Sequence, residues 1–242
     1  MSFCPGQQDA GSQPLPARSR FALALAPTLS ARQRARLRPW LVALAVAGLA
    51  AALVALALHQ IPLRARIALE ADVRARLSNA PVLAIGDSIT YQAAPRSLCG
   101  EEVLNAAVPG DKIDDLVSRA GSLEHHLQPA RVVIAIGAND AVKPKHSIAE
   151  WQTLYREIIS RFPGSQLVLV EVNPVEHGRS PYADMLDQSY VAQQNAAIRA
   201  IGAETGAVVV PAPQSVSTTD GIHPSRAGAL LWRARLFSAA CR

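Results

Sequence analysis

After Asn79, short apolar runs alternate with amphipathic segments. The apolar runs are bounded by turn residues, and three of them are almost wholly apolar, which is typical of parallel strands covered on both faces. The pattern predicts five strands, at residues 81–86, 103–108, 131–137, 166–172 and 207–211.

The segments between these strands carry apolar residues at helical spacing. Helices are predicted over residues 113–127, 148–162, 185–205 and 225–239. Ser147 and Glu150 form a capping box at the start of the second of these helices. A regular alternation of strand and helix predicts a doubly wound α/β fold, in which ligands bind at the carboxyl ends of the strands.

A different pattern occupies residues 40–58, where nineteen residues carry no charge. As a helix this segment is about 28 Å long, close to the thickness of a bilayer core. A buried core helix is the alternative, but such a helix rarely lacks polar residues on every face. We therefore predict a transmembrane signal anchor.

The arginines around this anchor predict its orientation. Four of them, at positions 32, 34, 36 and 38, precede the apolar run, whereas Arg64 and Arg66 are the nearest on the other side. The positive-inside bias predicts a cytoplasmic N-terminus and a C-terminal part that is periplasmic or extracellular. A cleaved signal peptide remains an alternative, because Ala55-Leu56-Ala57 fits a cleavage pattern.

The flanking segments complete the predicted organisation. Residues 1–39 are rich in Pro, Ser, Gln, Ala and Arg without a sustained period, which predicts a disordered basic cytoplasmic tail. Residues 59–80 include an amphipathic stretch and are predicted to form a juxtamembrane helix or spacer. Residues 81–242, with the alternating strands and helices, are predicted to form the main folded domain.

The net charge of +5 arises wholly in the tail. Residues 1–39 hold six arginines against Asp9, whereas residues 59–242 hold eighteen basic and eighteen acidic residues. A neutral body without a basic stripe lacks the electrostatic footprint of a nucleic-acid-binding protein. We therefore expect a membrane and not a nucleic acid as the partner of this charge.

Two sites at strand ends carry candidate chemistry. Ser88 follows the first predicted strand within Gly86-Asp87-Ser88, and Asp220 and His223 follow the fifth within Asp-Gly-Ile-His-Pro. A turn can bring the Asp220 carboxylate to the imidazole while the other ring nitrogen faces Ser88, which is the arrangement of a Ser-His-Asp triad. Taken alone, each site is also compatible with an ordinary helix cap.

Two further loops could supply oxyanion donors. Gly110 ends the loop after the second predicted strand, and Asn139 follows the third. A glycine amide can approach a substrate closely, and an asparagine side chain provides an N–H donor. Each loop alone is also ordinary turn chemistry.

Together and in this order, the four sites resemble the blocks of the SGNH hydrolase family within the GDSL esterases and lipases. The resemblance covers residues 81–242. It implies Ser88 as nucleophile, His223 and Asp220 as base and orienting acid, and Ser88, Gly110 and Asn139 as the oxyanion hole. It also implies a flavodoxin-like three-layer α/β/α sandwich with a five-stranded parallel sheet and no metal or cofactor.

The expected activity is hydrolysis of an O-acyl or other short-chain ester through an acyl-enzyme, on an envelope carbohydrate or lipid. An SGNH-type O-acyltransferase is the first alternative, because the same acyl-enzyme could acylate a polysaccharide hydroxyl; its partner would be a membrane protein that delivers the acyl donor. A non-catalytic binding module is a second alternative, since a fold alone does not determine function.

Cys99 and Cys241 are the two cysteines of the predicted exported part, where disulfides persist. In a flavodoxin-like order the first and last helices cover the same face of the sheet, and both cysteines lie at the edge opposite the predicted active site. We expect a disulfide between them, although two unrelated buried thiols are the alternative.

Overall fold

The computed structural model describes residues 31–241 of the chain and divides it into two compact units, Met1–Leu56 and Ala57–Arg242. Residues 1–30, which contain most of the predicted disordered tail, lie outside the described residues.

Helix α1 runs from Ala31 to Gln60. Within it, Pro39–Ala57 is long and apolar enough to cross a membrane, with a mean hydropathy of 2.5 and none of its residues buried. The helix begins before the predicted apolar run, so residues 31–39 differ from the disordered tail expected there. Alanine and arginine are strong helix formers, which explains how the helix extends upstream of the apolar residues.

The second unit is built around a mostly parallel sheet. Within the described residues it has six strands in the order β2-β3-β1-β4-β5-β6. The strands are β1 (Val82–Gly86), β2 (Ser97–Leu98), β3 (Glu101–Asn105), β4 (Arg131–Ala135), β5 (Gln166–Val170) and β6 (Val208–Val210). Without β2, the order is that of a flavodoxin-like doubly wound sheet, as predicted.

The helices that connect these strands lie on both sides of the sheet. They are α2 (Leu63–Leu77), α3 (Ser88–Ala93), α4 (Ile113–Leu127), α5 (Ile148–Ser160), α6 (Pro181–Asp184), α7 (Gln188–Thr205) and α8 (Arg226–Ala240). Helices α2, α4, α5 and α7 pack side by side, and α3 packs against α8. This arrangement confirms the predicted three-layer α/β fold.

The sheet differs from the prediction at one edge. The predicted sheet had five parallel strands, and the structure adds β2, a two-residue strand that pairs antiparallel with β3. Strand β3 also begins at Glu101, earlier than the apolar run at 103–108. Because β3 is only partly covered, it accommodates the acidic residues Glu101 and Glu102, which a search for apolar runs overlooks.

Helix α2 forms over the segment predicted as a juxtamembrane helix or spacer. Its residues Ala71 and Ala75 are fully buried and belong to the same apolar core as the central strands. The helix packs against α4 and β3. It is therefore part of the compact unit that begins at Ala57.

A disulfide joins Cys99, in the turn between β2 and β3, to Cys241 at the end of α8. The two Cα atoms are 5.3 Å apart, and the cysteines are 142 positions apart in sequence. The bond therefore fastens the last helix to the region that precedes the second parallel strand.

We predict that replacing Cys99 by Ser lowers the free energy of unfolding by about 2–5 kcal/mol, because a cross-link over a long loop restricts the unfolded chain. Denaturant unfolding of the purified full-length chain measures this change. Cys4→Ser is the matched control and should leave the midpoint unchanged. An equal midpoint for the Cys99 variant would contradict the prediction.

Candidate active site

Ser88 is the first residue of α3, at the carboxyl end of β1. Gly86 makes this turn possible: its φ is +154°, and a Cβ there would lie only 2.0 Å from the carbonyl oxygen of Ala135 on neighbouring β4. The Asp87 carboxylate then caps α3 by accepting from the Ile89 amide at 2.9 Å. The backbone N–H of Ser88 lies in the first turn of this helix and has no acceptor within it.

His223 and Asp220 lie in the loop between β6 and α8, at the same edge of the sheet. His223 Nε2 is 2.8 Å from Ser88 Oγ, and its Nδ1 is 2.6 Å from Asp220 Oδ2. The other oxygen of Asp220 accepts from the amides of Ile222 and His223. The structure thus joins the three side chains in one chain of hydrogen bonds.

The ionisation of Asp220 determines the direction of these bonds. Partial burial acts to raise the pKa of Asp220, but the hydrogen bonds from His223 and Ile222 outweigh it and hold the pKa below its usual value. An ionised carboxylate only accepts hydrogen bonds, so Nδ1 of His223 carries the proton. Nε2 of a neutral imidazole is then the acceptor for the Ser88 hydroxyl.

Asn139 lies just after β4, in a short 3₁₀ turn formed by Asn139–Ala141. Its Nδ2 donates to the carbonyl oxygen of Asp111 at 3.0 Å, and its Oδ1 accepts from the Tyr182 hydroxyl at 2.9 Å. The Asn139 Nδ2 carries two hydrogens, and the Asp111 carbonyl accepts only one of them. The amide is therefore held from both of its ends.

Gly110 lies in the loop after β3, next to Asp111, and has a φ of +82° that favours glycine. The Asp111 amide donates to the Val108 carbonyl at 3.1 Å and closes a turn around Gly110. The Val108 amide in turn donates to the Gly86 carbonyl at 3.0 Å. The Gly110 loop is thereby tied to the strand end that precedes Ser88.

Tyr182 is a residue of this site that the sequence did not indicate. It lies on α6, a four-residue helix in the long connection between β5 and α7, and it is 41% exposed. Burial, followed by the nearby charge of Asp87, raises the pKa of Tyr182, which keeps its hydroxyl protonated. No motif surrounds it, so only the folded arrangement reveals its contact with Asn139.

Two buried carboxylates support the loops of the site. Burial, together with the nearby charge of Asp140 and against the opposing hydrogen bond from Ile89, raises the pKa of Asp87 to about 7. Burial likewise raises the pKa of Asp140 to about 6. Asp140 accepts from the Ile113 amide and so fixes the start of α4.

No group of three or more His, Cys, Asp or Glu side chains within residues 31–241 is arranged to hold a metal ion.

The side chains of His223 and Asp220 are 27% and 44% exposed, so the hydrogen-bonded series from Asp220 through His223 to Ser88 is open to the surface of the molecule.

A family model for the GDSL-like Lipase/Acylhydrolase family matches residues 84–231. The chain belongs to this family. The matched segment begins within β1 and ends within α8, and it contains Ser88, Gly110, Asn139, Asp220 and His223. A search of curated proteins found no significant match.

Solved structures agree on the fold of the family. A Streptococcus pneumonia protein, provisionally described as a platelet activating factor, has a TM-score of 0.64 at 22% identity and covers 78% of this chain and 98% of its own. A GDSL-like lipase from Bacteroides thetaiotaomicron has a TM-score of 0.60 at 20% identity, with coverage of 73% and 96%. A variant of an acetyl-xylooligosaccharide esterase from Geobacillus has a TM-score of 0.53 at 19% identity, with coverage of 67% and 94%.

The raised pKa of Asp87 predicts a pH-dependent stability. The folded state binds this proton more tightly than the unfolded state, whose carboxyl has the ordinary value of 3.8, so this group makes the protein less stable as pH rises from about 4 to 7. Asn at position 87 can still cap α3 but cannot ionise. We expect Asp87→Asn to gain stability relative to the native chain over this range, by up to about 4 kcal/mol at pH 7.

Denaturant unfolding of both proteins between pH 4 and 8 measures this difference. Asp114→Asn is a control of opposite sign, because hydrogen bonds from His146 and Lys145 lower the pKa of Asp114. A difference between the Asp87 variant and the native chain that stayed constant from pH 4 to 7 would refute the prediction.

Tyr182→Phe should lower kcat for a test ester by about tenfold, because one hydrogen bond of about 0.5–1.5 kcal/mol no longer orients the Asn139 amide. KM should change little, since the ring that borders the site remains. Tyr91→Phe, at an exposed tyrosine on α3, is the matched control. Steady-state kinetics with p-nitrophenyl acetate test this, and an unchanged kcat for the Tyr182 variant would remove Tyr182 from the working site.

Proposed function

We propose that this chain is a serine ester hydrolase that works through an acyl-enzyme on Ser88. The single observation that carries the proposal is the chain of hydrogen bonds from Asp220 through His223 to Ser88, with distances of 2.6 and 2.8 Å. Family membership supports a hydrolase, and these contacts provide the three groups that such chemistry requires.

In the acylation step, Ser88 Oγ attacks the carbonyl carbon of the ester and gives its proton to His223 Nε2. The negative charge of Asp220 stabilises the imidazolium that results. Collapse of the tetrahedral intermediate breaks the bond to the alcohol, which leaves with the proton from His223. Water then attacks the carbonyl carbon of the acyl-enzyme and gives a proton to His223 Nε2. His223 returns this proton to Ser88 Oγ as the bond between Ser88 and the acyl group breaks, and the carboxylic acid is released.

The oxyanion hole of the proposed mechanism has three donors. They are the backbone amides of Ser88 and Gly110 and the side-chain amide of Asn139. The turn around Gly110 and the two hydrogen bonds of Asn139 support this role, because donors that are already oriented need no rearrangement when charge develops. Removing one such donor typically lowers kcat by about 10²–10³-fold.

The proposed substrate is an O-acyl or other short-chain ester on an envelope carbohydrate or lipid. An exposed site suits an ester that projects from a large molecule, and the structurally similar Geobacillus protein is an esterase of acetylated xylooligosaccharides. The apolar segment Pro39–Ala57 supports a location at the cytoplasmic membrane with the catalytic unit on its outer side.

We predict that Ser88→Ala lowers kcat for p-nitrophenyl acetate by up to about 10⁶-fold while the fold is retained, because the nucleophile is lost and a small side chain still fits the first turn of α3. The variant should also fail to react with a fluorophosphonate probe. Ser118→Ala, at an exposed serine of α4, is the control.

Steady-state kinetics and probe labelling on the full-length chain provide the test. A Ser88 variant that kept more than a tenth of the native rate would show that another group is the nucleophile.

A further inference from the structure

Arg64, on the helix that follows the apolar segment, contacts the loop that carries Gly110. Arg64 lies in the first turn of α2. In sequence it precedes residues 84–231, which the family model matches. Its Nη2 is 2.9 Å from Asp111 Oδ1 and also pairs with Asp115. Its Cδ would lie 3.9 Å from a Cβ placed on Gly110, so its aliphatic stem passes beside the glycine.

Asp111 connects this arginine to the proposed oxyanion donors. Its backbone amide closes the turn around Gly110, and its backbone carbonyl holds Asn139 Nδ2. Both donor groups other than the Ser88 amide therefore depend on where the Asp111 backbone lies. A displacement of Asp111 would move Gly110 and release one end of the Asn139 amide.

The side chain of Asp111 is pinned by two cations. Only 2% of it is exposed; Arg64 binds one carboxylate oxygen, and Arg119 binds the other through two nitrogens at 2.7 and 3.1 Å. A buried carboxylate is stable only when its oxygens are paired, and loss of one partner leaves a charge that must be hydrated or protonated. Loss of Arg64 would expose Oδ1 on the side of the loop that faces α2.

We propose that Arg64 is a positioning residue for the oxyanion hole, which acts through Asp111 on Gly110 and Asn139. The segment that follows the apolar helix thus contributes to the catalytic site and is more than a tether. The effect on activity rests on the function proposed above, whereas the effect on the loop does not.

The test compares three variants of the full-length chain purified in detergent. Arg64→Gln removes the charge. Arg64→Lys keeps the charge but replaces the planar guanidinium, whose Nη2 contacts both Asp111 and Asp115, by a compact ammonium group. Arg76→Gln alters an exposed arginine of the same helix. Hydrogen–deuterium exchange of residues 106–113 reports on the loop, and steady-state kinetics report on kcat and KM separately.

We expect the 106–113 segment of Arg64→Gln to exchange at least about ten times faster than in the native chain, with the central strands unchanged, because opening the turn exposes the Asp111 amide. Its kcat should fall by about tenfold with KM nearly constant, as expected when only transition-state stabilisation is lost. The exchange rate and kcat of Arg64→Lys should lie between those of Arg64→Gln and the native chain. Arg76→Gln should match the native chain in both.

Native exchange of residues 106–113 in both Arg64 variants would overturn the proposal. So would a kcat that falls only in proportion to a general loss of folded protein, with exchange raised equally throughout the domain. If the native chain hydrolyses no ester, the proposed function fails, and the exchange of the loop still decides whether Arg64 positions it.

Discussion

The hydrogen bond between His223 Nδ1 and Asp220 Oδ2 determines how the rest of the site can work. An ionised carboxylate at this position fixes the proton on Nδ1, and only then can Nε2 accept the proton of Ser88. The two amide donors that bind the other oxygen of Asp220 come from its own loop. A short loop therefore positions the carboxylate and the imidazole together, so that the proposed base and the proposed orienting acid form one local unit.

This unit must still meet Ser88, which lies 135 positions away in sequence. The fold solves the problem because strands β1 and β6 both run in the same direction and end at one edge of the sheet. Helix α8 follows His223 and is fastened at its far end by the disulfide between Cys99 and Cys241. The sheet and the cross-link together hold the last loop of the domain against its first.

Much of this arrangement could be predicted from the chain itself. Parallel strands read as apolar runs, and a residue that follows such a run must lie at the carboxyl edge of the sheet. Ser88, Asp220 and His223 come after such runs, which predicts that they lie near one another, and in the structure their side chains are in contact. The pairing of Cys99 with Cys241 follows instead from their predicted export and from the positions of the first and last helices on one face of the sheet, and the two cysteines are bonded in the structure.

The features that the sequence did not predict lie in segments that carry no catalytic motif. Tyr182 lies in a connection without periodicity, and its contact with Asn139 exists only because α6 folds back over the site. In the sequence, Arg64 is notable only as one of the two nearest arginines after the apolar run. In the structure it pairs with Asp111 and Asp115. Strand β2 has two residues, too few to produce a pattern. Such contacts follow from tertiary packing, which local sequence patterns do not encode.

The proposed mechanism transfers an acyl group to Ser88 during turnover. Rapid-quench mass spectrometry of the full-length chain with p-nitrophenyl acetate detects this transfer. We expect a burst of nitrophenol together with one acetyl group on the peptide that contains Ser88. Hydrolysis with the acetyl group on a different residue, or turnover in which no acyl group forms on the protein at any quench time, would contradict the proposed mechanism.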